Sequence, residues 1–294
     1  MDEQKTTPPL VEPTITRRQR LVALCSAIAA SLSVLPPSQL AAAALISVHC
    51  PPKITGAAAA DDGPAAGAGQ TGMIAPCGQP VGELDVEQAE QFEQEHVHGV
   101  YNTISSHFSH TRYKPWPKVV EFLESLSHGA WVADVGCGNG KYMGVNARLI
   151  FAGSDRSTGL AECCRANGHE VCVADTLRLP YRTASFDAAI SIAVIHHLSS
   201  EARRVAAVQE ILRILRPGGR MLLYNWAFEQ SGRRKGFKDQ DNLIPWHLQK
   251  TYKKNPEGHG QVAEGKNSVV YKRYYHMFVE GESEALLQKA GGCR

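Results

Sequence analysis

The 294-residue chain has eight cysteines but no C-x-x-C pair. No zinc site of the usual spacing and no disulfide framework is therefore expected, and no metal ligand set stands out. Reduced thiols in an intracellular compartment, cytoplasm or nucleus, fit this pattern better. The chain also lacks an apolar run of the roughly 20 residues that cross a bilayer. Its nearest approach is Leu21–Leu35, between Arg17-Arg18-Gln19-Arg20 and Pro36-Pro37. A basic flank before a short apolar run has the form of a targeting segment, although Asp2 and Glu3 count against an organelle transit peptide. The alternative is a disordered extension without function. Charge of one sign is also lacking. The formal net charge is +2, so the total selects no class of partner, and the apolar fraction of 43% is ordinary for a globular protein.

Residues 1–81 are rich in Ala, Pro and Gly without sustained periodicity, and Ala57–Gly72 is nearly all small residues. This stretch reads as a disordered low-complexity extension. From residue 82 a folded domain is expected to run to 294. Val97, Val100, Tyr101, Ile104 and Phe108 at helical spacing predict a helix over about 85–107, and Pro117 can open the next. An alternation then predicts strands at 130–135, 149–154, 170–174, 186–194 and 220–226, with helices at 158–166 and 201–215. The breaker Pro217-Gly218-Gly219 should separate the last helix and strand. Such βα units imply an α/β fold, a doubly wound, mostly parallel sheet that binds ligands beyond the carboxyl ends of its strands.

The most informative run is Trp131–Tyr142, a buried strand leading into Gly136-Cys137-Gly138-Asn139-Gly140. Its G-x-G-x-G spacing differs from the dinucleotide fingerprint, and Asp134 at the strand end would repel a pyrophosphate. An acid there suits a ligand with a positive amino group. Asp155, 21 positions on, and Asp175, 20 further, end the next two strands. They are placed to meet ribose hydroxyls and an adenine amino group. Each aspartate alone is more often a helix cap, and the glycines alone could belong to a plain strand–turn–helix corner. Three acids at equivalent strand ends behind such a turn point instead to S-adenosylmethionine (SAM).

Asp134-Val135-Gly136-Cys137-Gly138, Leu179-Pro180-Tyr181 with Ser185-Phe186-Asp187, His196-His197-Leu198 and Leu215-Arg216-Pro217-Gly218-Gly219 together resemble class I SAM-dependent methyltransferases over about 130–227. Further stretches narrow this. They include Glu95–Tyr101, His107–Pro117, Gly138–Tyr142, Ile190–His197, Trp226–Gln230, Ile244–Leu248 and Arg273–Phe278. With them, residues 90–290 resemble the tRNA wobble-uridine carboxymethyl methyltransferases, in a stand-alone form without the AlkB-like oxygenase of the fused relatives. The resemblance implies methyl transfer from SAM to the carboxylate of 5-carboxymethyluridine in tRNA, with a small zinc-binding activator subunit as partner. The candidate cofactor residues are Asp134, Gly136, Cys137, Gly138, Asn139, Gly140, Asp155, Arg156, Asp175, Thr176, Leu177 and Ile192.

A carboxylate nucleophile is already ionised at neutral pH, so a cationic clamp matters more than a base. Arg112 is the first choice, since guanidinium binds carboxylate or phosphate bidentately, and Lys114 is a weaker one. His196 or His197 could donate a hydrogen bond to substrate, or simply cap a loop. Trp226 and Tyr224 could stack on a base or belong to the core. Residues 231–273 hold ten Lys or Arg against four acids, with Phe237, Trp246, Tyr252 and Tyr271 interleaved. This basic insertion, with Arg233, Arg234, Lys253, Lys254 and Arg273, is a solvated surface or a place for tRNA phosphates. After a helix over 280–290 the chain ends without the final antiparallel strand pair, which should leave an open edge at 220–226. A small-molecule methyltransferase and a non-catalytic binding protein remain alternatives.

Overall fold

A computed structural model of the chain describes residues 45–48, 81–112, 114–229, 237–249, 261–262 and 268–291. All belong to the unit Ala41–Arg294. Six parallel strands form the central sheet: β1 (Leu45–Val48), β2 (Trp131–Val135), β3 (Ile150–Asp155), β4 (Val171–Val173), β5 (Phe186–Ile192) and β6 (Leu215–Tyr224). Their spatial order is β1-β6-β5-β2-β3-β4. The chain leaves β2 towards β3 and β4, then returns to place β5 on the other side. A crevice therefore opens beyond the carboxyl ends of β2 and β5, where ligands of such sheets bind.

Strand periodicity builds the core, because successive side chains point to opposite faces. Val132, Ile190 and Leu222 join Val119, Phe122 and Leu123 of α3 (Pro117–Glu124) on one face. Their neighbours Ala133, Ala189 and Met221 join Ala207, Val208 and Ile211 of α5 (Glu201–Ile214) on the other. The helix α6 (Glu282–Lys289) adds Leu286 and Leu287 to that second face. On the first face α4 (Thr158–Ala166) adds Cys164 and has the boundaries its sequence predicts, with Ser157 capping the Leu160 amide.

Several elements differ from expectation. The first predicted helix extends to residue 111, as α1 (Val86–Glu93), a π-helical turn at Gln94–His98 and α2 (Gly99–Thr111). The strand expected to reach Val194 stops at Ile192, because Ala193 adopts φ 61° and turns the chain into a 3-10 turn, Ile195–His197. Strand β6 starts at Leu215 rather than 220, running through Pro217-Gly218-Gly219 with a register irregularity against β5. The edge expected to be open is paired. Leu45–Val48, within the stretch read as disordered, runs parallel to Arg220–Leu223. No antiparallel strand joins this sheet among the described residues. The basic insertion does leave the α/β pattern. It holds a separate antiparallel sheet of β7 (Asp241–Gln249), β8 (Gln261–Val262) and β9 (Ser268–His276), in the order β7-β9-β8.

That second sheet packs its inward face on α2. Trp246, Leu248, Val269 and Tyr271 cluster with Val100 and Ile104. A buried ion pair fixes α1 against the loop that follows β5. Glu93 accepts from Arg203 Nε and Nη2 at 2.9 and 2.8 Å, and from the Ser199 amide and hydroxyl at 2.7 and 2.9 Å. Burial works against the Arg203 charge, but the Glu93 bonds outweigh it and raise its pKa. Removing one partner leaves the other charge buried alone. Glu93→Ala should therefore cost about 3 kcal/mol, read as a lowered urea midpoint, and an unchanged midpoint would refute the role given to the pair.

Candidate active site

The crevice is a pocket floored by Asp134, Gly136, Cys137 and Gly138 at the end of β2 and just past it, and by Asp155, Arg156 and Ser157 at the end of β3 and just past it. Asp175 and Thr176 close it beyond β4, and Ile192, Ala193 and Val194 beyond β5. Above them stand Val97 and His98 of the π-turn, Tyr101, Phe108 and Arg112 from α2 and its end, and Ile244, Arg273, Tyr275 and Met277 from the second sheet and its exit.

The floor is acidic and incompletely satisfied. Asp134 is 1% exposed and its Oδ2 has no hydrogen-bond partner. Burial first, and then the Asp155 charge, raise its pKa to about 7, against the pull of Lys141. Asp155 accepts the Gly138 and Ser157 amides at 2.8 Å each, as a strand-end cap does, yet burial still lifts it to about 6. Asp175 pairs with Arg156 at 3.3 Å and accepts the Leu177 amide at 2.9 Å. A buried carboxylate oxygen facing a pocket without a partner calls for a cationic donor from a ligand.

The glycines divide by task. At Gly136, φ is 77° and a Cβ would lie 2.2 Å from Val194 Cγ2. At Gly138, φ is 56° and a Cβ would meet nothing within 4 Å, so its bare face opens to the pocket. Gly140 is not part of the lining. A Cβ there would lie 2.7 Å from Cys164 Sγ, so this glycine seats the turn on α4. Leu177 also turns away, packing against the core face that holds Leu179 and Phe186. Asn139 lines the pocket, but its amide donates to the Ser109 carbonyl and hydroxyl at 3.2 Å each.

The opposite wall is cationic and aromatic. The Arg112 guanidinium lies 5.5 Å from the Trp246 ring centroid, and that of Arg273 4.6 Å from the same ring. Arg273 also approaches Tyr275 at 5.2 Å and Tyr101 at 6.0 Å. It was expected on a phosphate-binding surface, but it is 2% exposed. The cause is alternation along β9, where Val269, Tyr271, Arg273 and Tyr275 share the buried side while Lys272 is exposed. Lys114 is exposed and outside the lining, whereas Trp226 lines the pocket edge-on to Tyr275 at 6.0 Å. Tyr224 is core, packed on Trp116. Arg233, Arg234, Lys253 and Lys254 lie outside the described residues.

The two histidines do not offer the expected donor. His196 is fully buried, stacked on Tyr275 at 4.7 Å, and does not line the pocket. His197 Nδ1 bonds the Tyr274 carbonyl at 2.7 Å, so it carries the proton, and Nε2 accepts from Tyr101 Oη at 3.0 Å. Burial lowers its pKa to about 3, which keeps the ring neutral. The polar group at the wall is Tyr101, which also meets Tyr275 Oη at 3.2 Å and whose ring faces the Arg273 guanidinium. Sequence reasoning gave no role to Tyr101, Tyr275, His98 or Lys141. Tyr101 sits in a helical apolar pattern, and only the placement of α2 over the crevice separates it from a core residue.

Residues 133–223 match the family described as a methyltransferase domain. The tRNA (carboxymethyluridine(34)-5-O)-methyltransferase of Schizosaccharomyces pombe is 45% identical over 208 residues, 69% of this chain and 90% of that one. The tRNA (carboxymethyluridine(34)-5-O)-methyltransferase alkbh8 of Xenopus tropicalis is 44% identical over 249 residues, 71% of this chain and 39% of its own length. The chain thus spans about two fifths of the first curated relatives it matches. A solved structure of SAM-dependent methyltransferases from Methanosarcina mazei aligns at 19% identity and a TM-score of 0.46, over 60% of this chain and 84% of that one.

The pocket geometry makes a paired prediction. Gly136→Ala should destabilise the fold by several kcal/mol, since both φ and the Val194 contact oppose it; Gly138→Ala should cost only about 1–2 kcal/mol yet obstruct a ligand. Thermal unfolding with and without SAM separates them, and full ligand-induced stabilisation of Gly138→Ala would contradict the assignment. With nine tenths of the fission yeast enzyme aligned at 45% identity, this chain belongs to the tRNA (carboxymethyluridine(34)-5-O)-methyltransferase family.

Proposed function

We propose that this chain transfers a methyl group from SAM to the carboxylate of 5-carboxymethyluridine at the tRNA wobble position, giving the methyl ester. The observation that carries the reading is the division of one pocket into an acidic floor and a guanidinium–aromatic wall. The floor fits SAM. Asp134, with its unpartnered oxygen, would take the ammonium, Asp155 the ribose hydroxyls, and the open face of Gly138 the close approach of the ligand. Arg156, Asp175, Thr176 and His98 would border the adenine, and Cys137, Asn139 and Ile192 fill the lining between. The bound cofactor supplies a methyl group made electrophilic by a sulfonium.

The protein's own residues then have three tasks. Arg273 and Arg112 bind the substrate carboxylate, which is ionised at neutral pH and needs no general base. The Tyr101–His197–Tyr274 hydrogen bonds hold the Tyr101 phenol, and with it the ring that the Arg273 guanidinium faces, in one orientation. Orientation of this kind can supply several kcal/mol of the barrier. Trp226 and Tyr275 cover the reacting groups from water and offer faces for the uracil ring. The substrate and partners, tRNA and a small zinc-binding activator subunit, belong to the same proposal. It rests for tRNA on the names of the relatives and for the activator on the family resemblance. Arg233, Arg234, Lys253 and Lys254 would contribute phosphate contacts, a salt-sensitive term.

Mass spectrometry of nucleosides from tRNA of cells lacking this activity is the test. The wild-type chain should convert carboxymethyluridine to its methyl ester. Arg273→Met should lower the rate roughly 100-fold while leaving SAM binding intact. An unchanged nucleoside profile with the wild-type chain would refute the proposal.

A further inference from the structure

Lys141 is a pocket cation to which no step above gives a task. It follows the Gly140 turn, and its Nζ lies 5.0 Å from the Trp116 ring and 4.8 Å from the Tyr142 ring. Among the described residues it forms no ion pair with a carboxylate. Two aromatic faces hold the charge in place without neutralising it. Burial first, then Arg112, lower its pKa to about 8, against the opposing pull of Asp134.

The pocket thus has two electrostatic neighbourhoods. Asp134 and Lys141 act on each other, and Arg112 acts on Lys141. Arg273 acts instead on Tyr101, His196 and His197. The proposed reaction brings two carboxylates into this space, one on the amino-acid end of SAM and one on the acceptor. They must be sorted, because a donor carboxylate seated on Arg273 would occupy the acceptor's position.

Resting on the reading of the floor as a SAM site, we propose that Lys141 binds the α-carboxylate of the methyl donor. Asp134 and Lys141 then form one receptor for the zwitterionic amino-acid group, opposite charges of the protein facing opposite charges of the ligand. Arg273 then serves the acceptor carboxylate. Lys141 thereby sets donor specificity, favouring a donor that carries both charges over one with the amine alone.

Calorimetric titration of the full chain with SAM and with decarboxylated SAM, which keeps the amine and lacks the carboxylate, tests this. The wild-type chain should prefer SAM by roughly tenfold or more, the effect of one charge-assisted hydrogen bond. In Lys141→Met the preference should vanish, with decarboxylated SAM binding within about twofold of wild type, as expected for loss of that one contact. Lys141→Gln should behave the same way. A preference that survives both substitutions would overturn the inference by placing the carboxylate on another cation. Equal loss of both donors in both variants would overturn it too, by making Lys141 a general support of the pocket. A wild-type chain that binds neither donor would instead remove the SAM reading itself.

Discussion

A carboxylate buried at the end of the central strand β2 sets the terms for the whole site. Asp134 is held 1% exposed beside a second buried acid, Asp155, and one of its oxygens has no partner in the protein. Such burial is costly. The sheet sustains it by packing Val132, Ala133 and Val135 completely on both faces, and by giving Asp155 two backbone amides. What the protein leaves unsatisfied, the ammonium of the proposed cofactor would complete. On the proposed reading the acidic floor thus does more than line a crevice; it selects the charge of what enters.

The opposite wall answers with the opposite sign, built from the second sheet and α2. Trp246 anchors it, since the Arg112 and Arg273 guanidiniums both lie against its ring while its indole N–H donates to His107 Nδ1 at 3.1 Å. Neutral His197 steadies Tyr101, and the Glu93–Arg203 pair steadies the loop that carries His197. Burial therefore serves orientation here rather than proton transfer, which suits a nucleophile that arrives ionised.

The α/β frame was legible because buried parallel strands are short apolar runs closed by Asp or Gly, and α4 begins at a serine cap and ends at Asn167-Gly168. The acidic floor was legible for the same reason, as strand ends are local features. The wall was legible only at Arg112 and Trp226, because the rest depends on which side of β9 faces α2. The alternation of Val269, Tyr271, Arg273 and Tyr275 carried that information, but inside a basic stretch Arg273 read as a phosphate contact. His196 and His197 looked equivalent, and only tertiary packing separates a ring stacked on Tyr275 from one that bonds Tyr101. The pairing of Leu45–Val48 with β6 joins segments far apart in sequence and leaves no periodic trace in a four-residue strand.

The charge of Asp134 is the central claim, and the pH dependence of SAM binding between about 5.5 and 7.5 measures it directly. With a pKa raised to about 7, the free carboxyl is protonated below that value and must release its proton to receive the ammonium. Affinity should therefore fall up to tenfold for each pH unit below 7, with proton release on binding. Asp134→Asn should bind weakly and lose that part of the slope, leaving only what Asp155 contributes nearer pH 6. A wild-type affinity that is flat across this range, with no proton exchange, would contradict the account.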